Sequence, residues 1–243
     1  MPLHTADALI LRTYKLGEVD RIVVFLTRDR GKKRGVAKGA RRPRSRFTGA
    51  LEPLTEVRVA YFESERRELV GLNYAEVVRS PLMLGQARAG LHAREVKADP
   101  HASEAGSQGA TADALGYVGY FAELLDEWAQ EADADERLYR LGISMLEALA
   151  LGAPVVPLAR YFEYWLLRLQ GVYPESRGTL SEGALSFLAG SRGLAPHRVG
   201  ELPTGGSVLK ELEGVHRRLI SMHLEKSLKS DRVLRDLRHD KQC

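Results

Sequence analysis

The sequence contains almost no cysteine. Its 243 residues include one, Cys243, at the last position. A single thiol cannot form an internal disulfide, and without a Cys-x-x-Cys pair there is no sequence signal for a structural zinc site. No apolar run approaches the length of about 20 residues that spans a membrane, and the first residues lack a signal-peptide core. These absences predict a cytoplasmic protein with no membrane segment, no cofactor and no metal.

Catalytic signatures are also missing. The stretch Gly31–Gly35 lacks the Gly-Lys-Ser/Thr ending of a phosphate-binding loop, and neither GxSxG nor HExxH occurs. His216 and His223 lie seven residues apart on one predicted helix, too far apart to share a metal ion. The acidic run from Glu123 to Glu136 is interpreted as a solvated helix face, because a metal-dependent nuclease needs carboxylates that converge in a cleft. The sequence therefore predicts a protein that is not an enzyme.

Positive charge is concentrated near the N-terminus. Between Arg28 and Arg46 there are ten Lys and Arg residues and one acid, Asp29, whereas the whole chain has a net charge of +4. Residues 1–80 carry 17 Lys and Arg against 10 Asp and Glu, and the remainder carries 19 against 22. A solvated basic loop or a nuclear-type signal would explain the run. Its lack of interspersed acids favours nucleic acid, whose phosphates release counterions when lysine and arginine bind.

The first eighty residues have the period-2 patterning of short strands separated by glycines and charge clusters. They predict a five-stranded antiparallel sheet or barrel with strands at Ala8–Arg12, Asp20–Thr27, Arg34–Lys38, Thr55–Phe62 and Leu69–Val78. On the last strand, the pattern places Val70, Leu72, Tyr74 and Val78 on one face.

After Pro81 the apolar period becomes helical. Helices are predicted at Leu82–Arg94, Tyr117–Trp128, Arg137–Leu151, Leu158–Gln170, Leu180–Leu188, Leu209–His223 and Asp231–Arg238. A flexible loop is predicted at about residues 99–112, from their Ala, Gly, Ser and Gln content. The expected fold class is α+β and multidomain: an OB-fold β-barrel over residues 1–80, followed by an α-helical domain over residues 81–243.

A five-stranded barrel with basic loops is typical of the OB fold, which binds single strands on its strand 2–3 face and in its loops. Base stacking on exposed aromatics contributes about 1–3 kcal/mol per base, and Tyr14, Phe47 and Tyr61 are the candidates, with packing inside the barrel as an equal alternative. The full set of candidate nucleic-acid-binding residues is Lys15, Arg21, Lys32, Lys33, Arg34, Lys38, Arg41, Arg42, Arg44, Arg46, Phe47, Arg66 and Arg67.

Several segments together resemble the RecO family of bacterial DNA-repair and recombination mediators. The most specific is Val36–Thr55, which looks like the family signature between strands 3 and 4. The other segments that resemble the family are Ala8–Leu26, Tyr120–Asp126, Arg160–Gly171 and Leu224–Leu234. In the last segment, Ser227 replaces an expected proline and Asp231 an expected arginine.

The resemblance implies an N-terminal OB domain and a helical C-terminal domain. It also implies binding of single- and double-stranded DNA, annealing of complementary strands, and partnership with RecR and with the C-terminal tail of single-stranded DNA-binding protein, so that RecA is loaded indirectly. By this analogy the DNA contacts come from the basic residues between Lys32 and Arg46.

The sequence departs from the family pattern at one metal-binding segment. Many members of the family carry a four-cysteine zinc ribbon after the segment that matches Gly171–Pro174, whereas here Glu175–Thr179 leads directly into a predicted helix without cysteine. The ribbon is interpreted as deleted, so no zinc is expected.

Two alternatives stay open beside the mediator. An RNA-binding OB protein of translation or ribosome assembly would have the same basic barrel, and preference for structured RNA would indicate it. A nucleic-acid enzyme would show metal-dependent cleavage.

Overall fold

The computed structural model describes residues 2–64, 66–81, 104–174 and 180–239. The chain divides into two compact units. The first joins Met1–Leu82 with Val118–Leu146, and the second joins Met83–Tyr117 with Glu147–Cys243. The predicted domain boundary near Ser80 stays a prediction. The helical residues 118–146 belong to the same compact unit as the N-terminal strands, and the basic run lies in this unit.

The first unit is built on a five-stranded sheet. Its order is β1-β2-β3-β5-β4, and β4 pairs back onto β1, so that the sheet closes on itself. All neighbours are antiparallel except β3 and β5. The strands are β1 (Leu3–Leu16), β2 (Asp20–Thr27), β3 (Gly31–Ala37), β4 (Glu56–Phe62) and β5 (Val70–Arg79). The predicted N-terminal five-stranded fold followed by a helical region is confirmed.

Strand direction decides which loops share an end of the sheet. Strands β1, β3 and β5 run the same way, because β2 is antiparallel to both β1 and β3, and β5 is parallel to β3. The β1–β2 turn and the connection that leaves β3 therefore lie at one end. The β2–β3 and β4–β5 turns lie at the other end.

The core of the sheet follows from side-chain alternation. Ala6, Ala8 and Ile10 of β1 face Val23 and Phe25 of β2 in one buried cluster. Bulky β-branched and aromatic side chains suit this half-buried, pleated surface.

Strand β1 is buried on its other face as well. Leu9 is fully buried, and a Cβ atom at Gly142 would lie 2.6 Å from Cδ2 of Leu9 and 2.9 Å from Cδ1 of Leu125. Only glycine leaves room for the helical residues 118–146 to pack this closely on the outside of the sheet.

A β-bulge makes the side chains of β5 face differently from the prediction. Ala60 pairs with Tyr74, but Tyr61 pairs with Leu72, so Asn73 is an extra residue in the strand. An extra residue reverses which side chains point inward. Leu72 and Ala75 are buried, whereas Tyr74 and Val78 are exposed. The expectation that Leu72, Tyr74 and Val78 share one face was wrong for this reason.

Six α-helices and one 3₁₀ helix follow the sheet in the described part of the chain. They are α1 (Glu104–Trp128), α2 (Glu136–Ala150), α3 (Val155–Leu169), α4 (Glu182–Ser191), the 3₁₀ helix (Pro196–Glu201), α5 (Gly206–Leu224) and α6 (Ser230–His239). The six helices predicted from Tyr117 onward are confirmed. The predicted helix at Leu82–Arg94 lies outside the described residues. Residues 104–112 begin α1 where a loop was expected, because Ala, Glu and Gln favour helix despite two glycines; residues 99–103 are not described.

Buried charge is a feature of the second unit. Nη2 of Arg160 donates to Oε1 of Glu163 at 2.6 Å, and both side chains are 2% exposed. Nδ1 of His216, fully buried on α5, lies 3.0 Å from Oε2 of Glu163. Nε2 of His216 lies 3.4 Å from the hydroxyl of Tyr173, and burial raises the pKa of that tyrosine to about 12. These partners keep the ionisable groups of the core hydrogen-bonded.

Candidate nucleic-acid interface

The connection between β3 and β4, residues 38–55, is a chain of tight turns anchored in the sheet. Successive backbone hydrogen bonds join residues three apart, as from Ser45 N to Arg42 O at 3.1 Å. Phe47, Ala50 and Leu51 insert into the core of the sheet. The connection is therefore ordered by its apolar residues and leaves its polar residues outside.

The cations of this connection are exposed. Among the described residues, no carboxylate lies within ion-pairing distance of them: Lys38, Arg41, Arg42, Arg44 and Arg46. The guanidinium of Arg41 donates to the carbonyl oxygens of Gly17 at 3.3 Å and Glu18 at 2.9 Å, which fixes the connection to the β1–β2 turn. The guanidinium of Arg46 lies 5.1 Å from the centroid of the Phe47 ring.

Two strand residues join these cations at the same end of the sheet. Lys15 on β1 is exposed and pairs in register with Arg21 on β2, and Arg21 pairs with Ala37 at the end of β3. Nη1 of Arg21 donates to Oγ1 of Thr13 at 3.4 Å. We call these seven cations the loop cluster: Lys15, Arg21, Lys38, Arg41, Arg42, Arg44 and Arg46.

The cations on β3 have a different environment. Nζ of Lys32 donates to the backbone oxygen of Asp126 at 2.6 Å and lies 3.4 Å from its carboxylate. Nζ of Lys33 donates to Oε1 of Glu63 at 2.6 Å. Nη1 of Arg34 lies 4.0 Å from Oε1 of Glu131. All three were predicted to bind nucleic acid, and the structure pairs all three with carboxylates.

The Lys33 hydrogen bond perturbs its partner. It lowers the pKa of Glu63, partial burial opposes this shift, and the charges of Lys33 and His4 add to the lowering. The carboxylate is thus held ionised, and the positive charge of Lys33 is balanced inside the unit.

Sequence reasoning did not identify Arg12, which faces three acids. Its guanidinium lies 3.6 Å from Glu123, 3.3 Å from Asp126 and 3.7 Å from Glu127. In the same unit, Nη2 of Arg28 lies 2.8 Å from Oε1 of Glu136. The acidic run interpreted as a solvated face is therefore partly engaged with the sheet. No local pattern could have indicated this, because the partners lie about a hundred residues apart.

Two of the three predicted stacking aromatics are buried. Phe47 is 2% exposed and Tyr61 is fully buried, so neither can stack on a base. The prediction that Phe47 contacts nucleic acid is corrected: its ring fills the core of the sheet, as the alternative of barrel packing required. Tyr14 is 43% exposed and its hydroxyl accepts a hydrogen bond from Arg12 at 3.3 Å.

Arg66 and Arg67 are exposed but are not near the loop cluster. They lie in the β4–β5 turn, at the opposite end of the sheet from the connection that follows β3. The structure thus brings together seven of the predicted residues and separates these two from them.

The described residues 2–64, 66–81, 104–174 and 180–239 show neither a metal cluster nor a membrane-spanning helix. There, no group of three or more His, Cys, Asp or Glu side chains could hold a metal ion. The segment 175–179, at which the ribbon was interpreted as deleted, lies outside those ranges, and the expectation of no zinc stays a prediction. None of the described helices combines the length and apolarity that crossing a membrane requires.

Comparison with known proteins places these features in a family. Residues 1–81 match the model of the recombination protein O N-terminal domain, and residues 110–189 match that of its C-terminal domain. The chain is 36% identical over 173 residues to the DNA repair protein RecO of Koribacter versatilis, covering 71% of this chain and 61% of that protein. It is 33% identical over 191 residues to the DNA repair protein RecO of Anaeromyxobacter sp., covering 76% of this chain and 66% of that protein. The chain belongs to the RecO family.

Identity to some RecO proteins is higher over shorter stretches. The DNA repair protein RecO of Bifidobacterium adolescentis is 53% identical over 78 residues, which are 32% of this chain and 31% of that protein. The chain spans about three fifths to two thirds of the length of its RecO relatives from Koribacter and Anaeromyxobacter. The N-terminal RecO match covers the sheet and the whole loop cluster. The predicted resemblance is thus confirmed at the level of the family.

Proposed function

We propose that this protein is a DNA-repair and homologous-recombination mediator that acts without catalysis. In this proposal it binds single- and double-stranded DNA and anneals complementary strands. With RecR it helps to load RecA onto DNA coated by single-stranded DNA-binding protein, whose C-terminal tail it contacts. A cytoplasmic, nucleoid-associated location is part of the same proposal. Membership of the RecO family and the names of the relatives, DNA repair proteins, support it.

The loop cluster is the observation that carries the proposal. The seven cations of the loop cluster lie at one end of a five-stranded sheet. The five that lie on the β3–β4 connection have no carboxylate partner in the described part of the chain. Burial of Phe47 holds this surface in place before any ligand arrives. Preordered cations lose less conformational entropy on binding, so more of their interaction with phosphate becomes affinity.

The chemistry of the cluster suits annealing. Two complementary strands repel each other, and a basic surface lowers this repulsion while it raises their local concentration. The bases must stay free to pair, so the contacts should go to phosphate rather than to base edges. Lysine and arginine without stacking aromatics provide such contacts, and we expect weak sequence preference. If six phosphates are neutralised, log K should fall against log salt with a slope of roughly −4.

The test is annealing of complementary oligonucleotides, each coated with single-stranded DNA-binding protein, together with a salt titration of binding to bare strands. The key variant changes Lys38, Arg42 and Arg44 to Ala. These side chains are exposed and make no hydrogen bond or ion pair with any described residue, so folding should be kept. We expect loss of annealing and a salt slope shallower by about 2, from three lost phosphate contacts.

The matched control changes Arg66, Arg67 and Arg137 to Ala. It removes the same charge from exposed positions outside the loop cluster, and it should anneal as the unmodified protein does. Equal losses in both variants would mean that only net charge matters and would contradict the assignment of the site. Tight binding of structured RNA without annealing of coated DNA would instead support an RNA-binding OB protein.

A further inference from the structure

We propose that the acidic residues between Glu123 and Glu131 neutralise the outer face of strands β1–β3 and so confine DNA to the loop cluster. This inference rests on the proposed function. We call these residues the carboxylate strip: Glu123, Asp126, Glu127 and Glu131. The strip is thus a determinant of where DNA runs across the protein.

The face in question is the one that OB folds commonly use. Single strands usually bind across strands 2 and 3 of an OB fold. Here Arg12, Val24 and Arg34 are paired in register across β1, β2 and β3, so they share that outer face. Lys32 lies two residues before Arg34 on the same face of β3. Without the strip, three cations and the exposed ring of Tyr14 would form a basic groove with a stacking residue.

Asp126 is the central member of the strip. One carboxylate oxygen lies 3.3 Å from Nε of Arg12, and the other lies 3.4 Å from Nζ of Lys32. The side chains of Lys32 and Asp126 are 15% and 12% exposed. At this depth counter-ions screen little, so one carboxylate offsets a large part of two cations.

The strip is held in place by main chain as well as by charge. Lys32 N donates to Gln130 O at 3.1 Å, and Ala132 N donates to Lys32 O at 3.1 Å, which forms a short parallel bridge beside β3. A Cβ atom at Gly31 would lie 2.2 Å from the backbone oxygen of Asp133. Only glycine permits this approach, so the segment after α1 is fixed against β3.

A cavity remains between the strip and the sheet. It has a volume of about 260 Å³ and is lined by Tyr14, Val24, Lys32, Arg34, Asp126, Glu127 and Glu131. Three of its seven lining residues are carboxylates, and like charge repels phosphate. The groove therefore exists in shape, but the strip opposes its occupation by DNA.

The test neutralises two members of the strip without changing side-chain volume. The variant Asp126→Asn with Glu131→Gln frees Lys32 and Arg34 from their carboxylates, whereas Arg12 keeps Glu123 and Glu127. The matched control, Glu68→Gln with Glu76→Gln, changes net charge equally at exposed positions that make no ion pair with any described residue. Binding of a labelled oligo-dT strand is followed by fluorescence anisotropy over a KCl series, after circular dichroism has verified folding.

Two added phosphate contacts should steepen the salt slope by about 1.4 and tighten binding about fivefold at low salt. The control should leave the slope unchanged. Adding Lys32→Gln to the neutralised variant should remove about half of the added slope. If the neutralised variant does not fold, Glu131→Gln alone, whose side chain is 64% exposed, should steepen the slope by about 0.7 relative to Glu76→Gln.

Equal slopes in the neutralised variant and the control would overturn the inference. That outcome is separable from failure of the proposed function, which would appear as weak binding by the unmodified chain or as binding that ignores the loop cluster. A neutralised variant that gains affinity while the unmodified chain binds nothing would support the strip and contradict the mediator.

Discussion

The two halves of the basic run have the same kind of sequence and opposite environments. From Arg28 to Arg34, the cations meet carboxylates of α1, of α2, of the segment after α1, or of the turns that join the strands. From Lys38 to Arg46, they project from a connection held by apolar anchors and meet no carboxylate in the described ranges. Charge density in a sequence therefore does not identify a binding surface. Distant acids decide which cations stay available.

The largest effect on stability is expected when the apolar anchor of the second half, Phe47, is removed. Phe47→Ala empties a fully packed site and should lower the free energy of unfolding by about 3–5 kcal/mol. Urea unfolding measures the change. Phe62→Ala, at a ring that is 38% exposed, should cost less than half as much. Equal costs would mean that Phe47 does not anchor the connection.

Two glycines at positive φ, one beside each half, differ in steric environment: Gly31 lies in the first half and Gly49 follows the second on the β3–β4 connection. Gly31 has φ 66° and faces the backbone of Asp133, whereas Gly49 has φ 73° and nothing within 4 Å of an added Cβ. Gly31→Ala should cost more than about 2 kcal/mol because the Asp133 backbone must move, and Gly49→Ala about 1 kcal/mol from conformation alone. Thermal or urea unfolding of both variants checks the order. A larger cost at Gly49 would contradict the close packing at β3.

One lysine from each half should separate stability from binding. Lys32→Met removes a charged hydrogen bond to Asp126 and should destabilise the fold by about 1–2 kcal/mol. Lys38→Met, at an exposed side chain, should stay within about 0.5 kcal/mol. In DNA titrations the order should reverse, with only Lys38→Met flattening the salt slope, by about 0.7. If both substitutions changed stability and the salt slope by similar amounts, the two halves would not differ in function.

The smallest expected effect is a dependence on acid. Glu63 has a lowered pKa because Lys33 donates a hydrogen bond to it. A carboxyl group whose pKa is lower in the folded state contributes stability above its unfolded pKa of about 4.3, and this contribution is lost as the pH falls through the folded value. The stability difference between the unmodified protein and Lys33→Gln should therefore shrink as the pH drops below about 4.

Urea unfolding at a series of pH values measures this loss. Arg44→Gln is the control, because Arg44 has no carboxylate partner among the described residues, and its curve should stay parallel to that of the unmodified chain. A Lys33→Gln curve that also stays parallel would show that the pair does not contribute to stability.

Local patterns in the sequence predicted the elements well. The stretch Asp20–Thr27, rich in Ile, Val and Phe, has the same bounds as β2, and the apolar stripes from Tyr117 onward match the helices. Side-chain orientation was predicted less well. The extra residue at Asn73 reverses one face of β5, and nothing in a period-2 pattern marks where a bulge occurs.

The candidate site could be predicted only in part, for a physical reason. Whether Lys32 is available depends on Asp126, which lies 94 residues along the chain, and such pairings follow from tertiary packing rather than from neighbouring residues. The sequence allowed two roles for Phe47, stacking on a base or packing in the core, because an aromatic residue directly after the arginine-rich stretch that ends at Arg46 suits both. Its burial decided the matter.

Within residues 38–55, different residues provide the shape and the charge, and this separation has a consequence for sequence variation. The residues that give this connection its shape, such as Phe47 and Leu51, are not the residues that give it charge, such as Arg42 and Arg44. Under the proposed function, gain or loss of an arginine here should alter affinity for DNA with little effect on folding. Single substitutions at the charged positions would therefore tune this surface to a different salt concentration while the apolar anchors keep its shape.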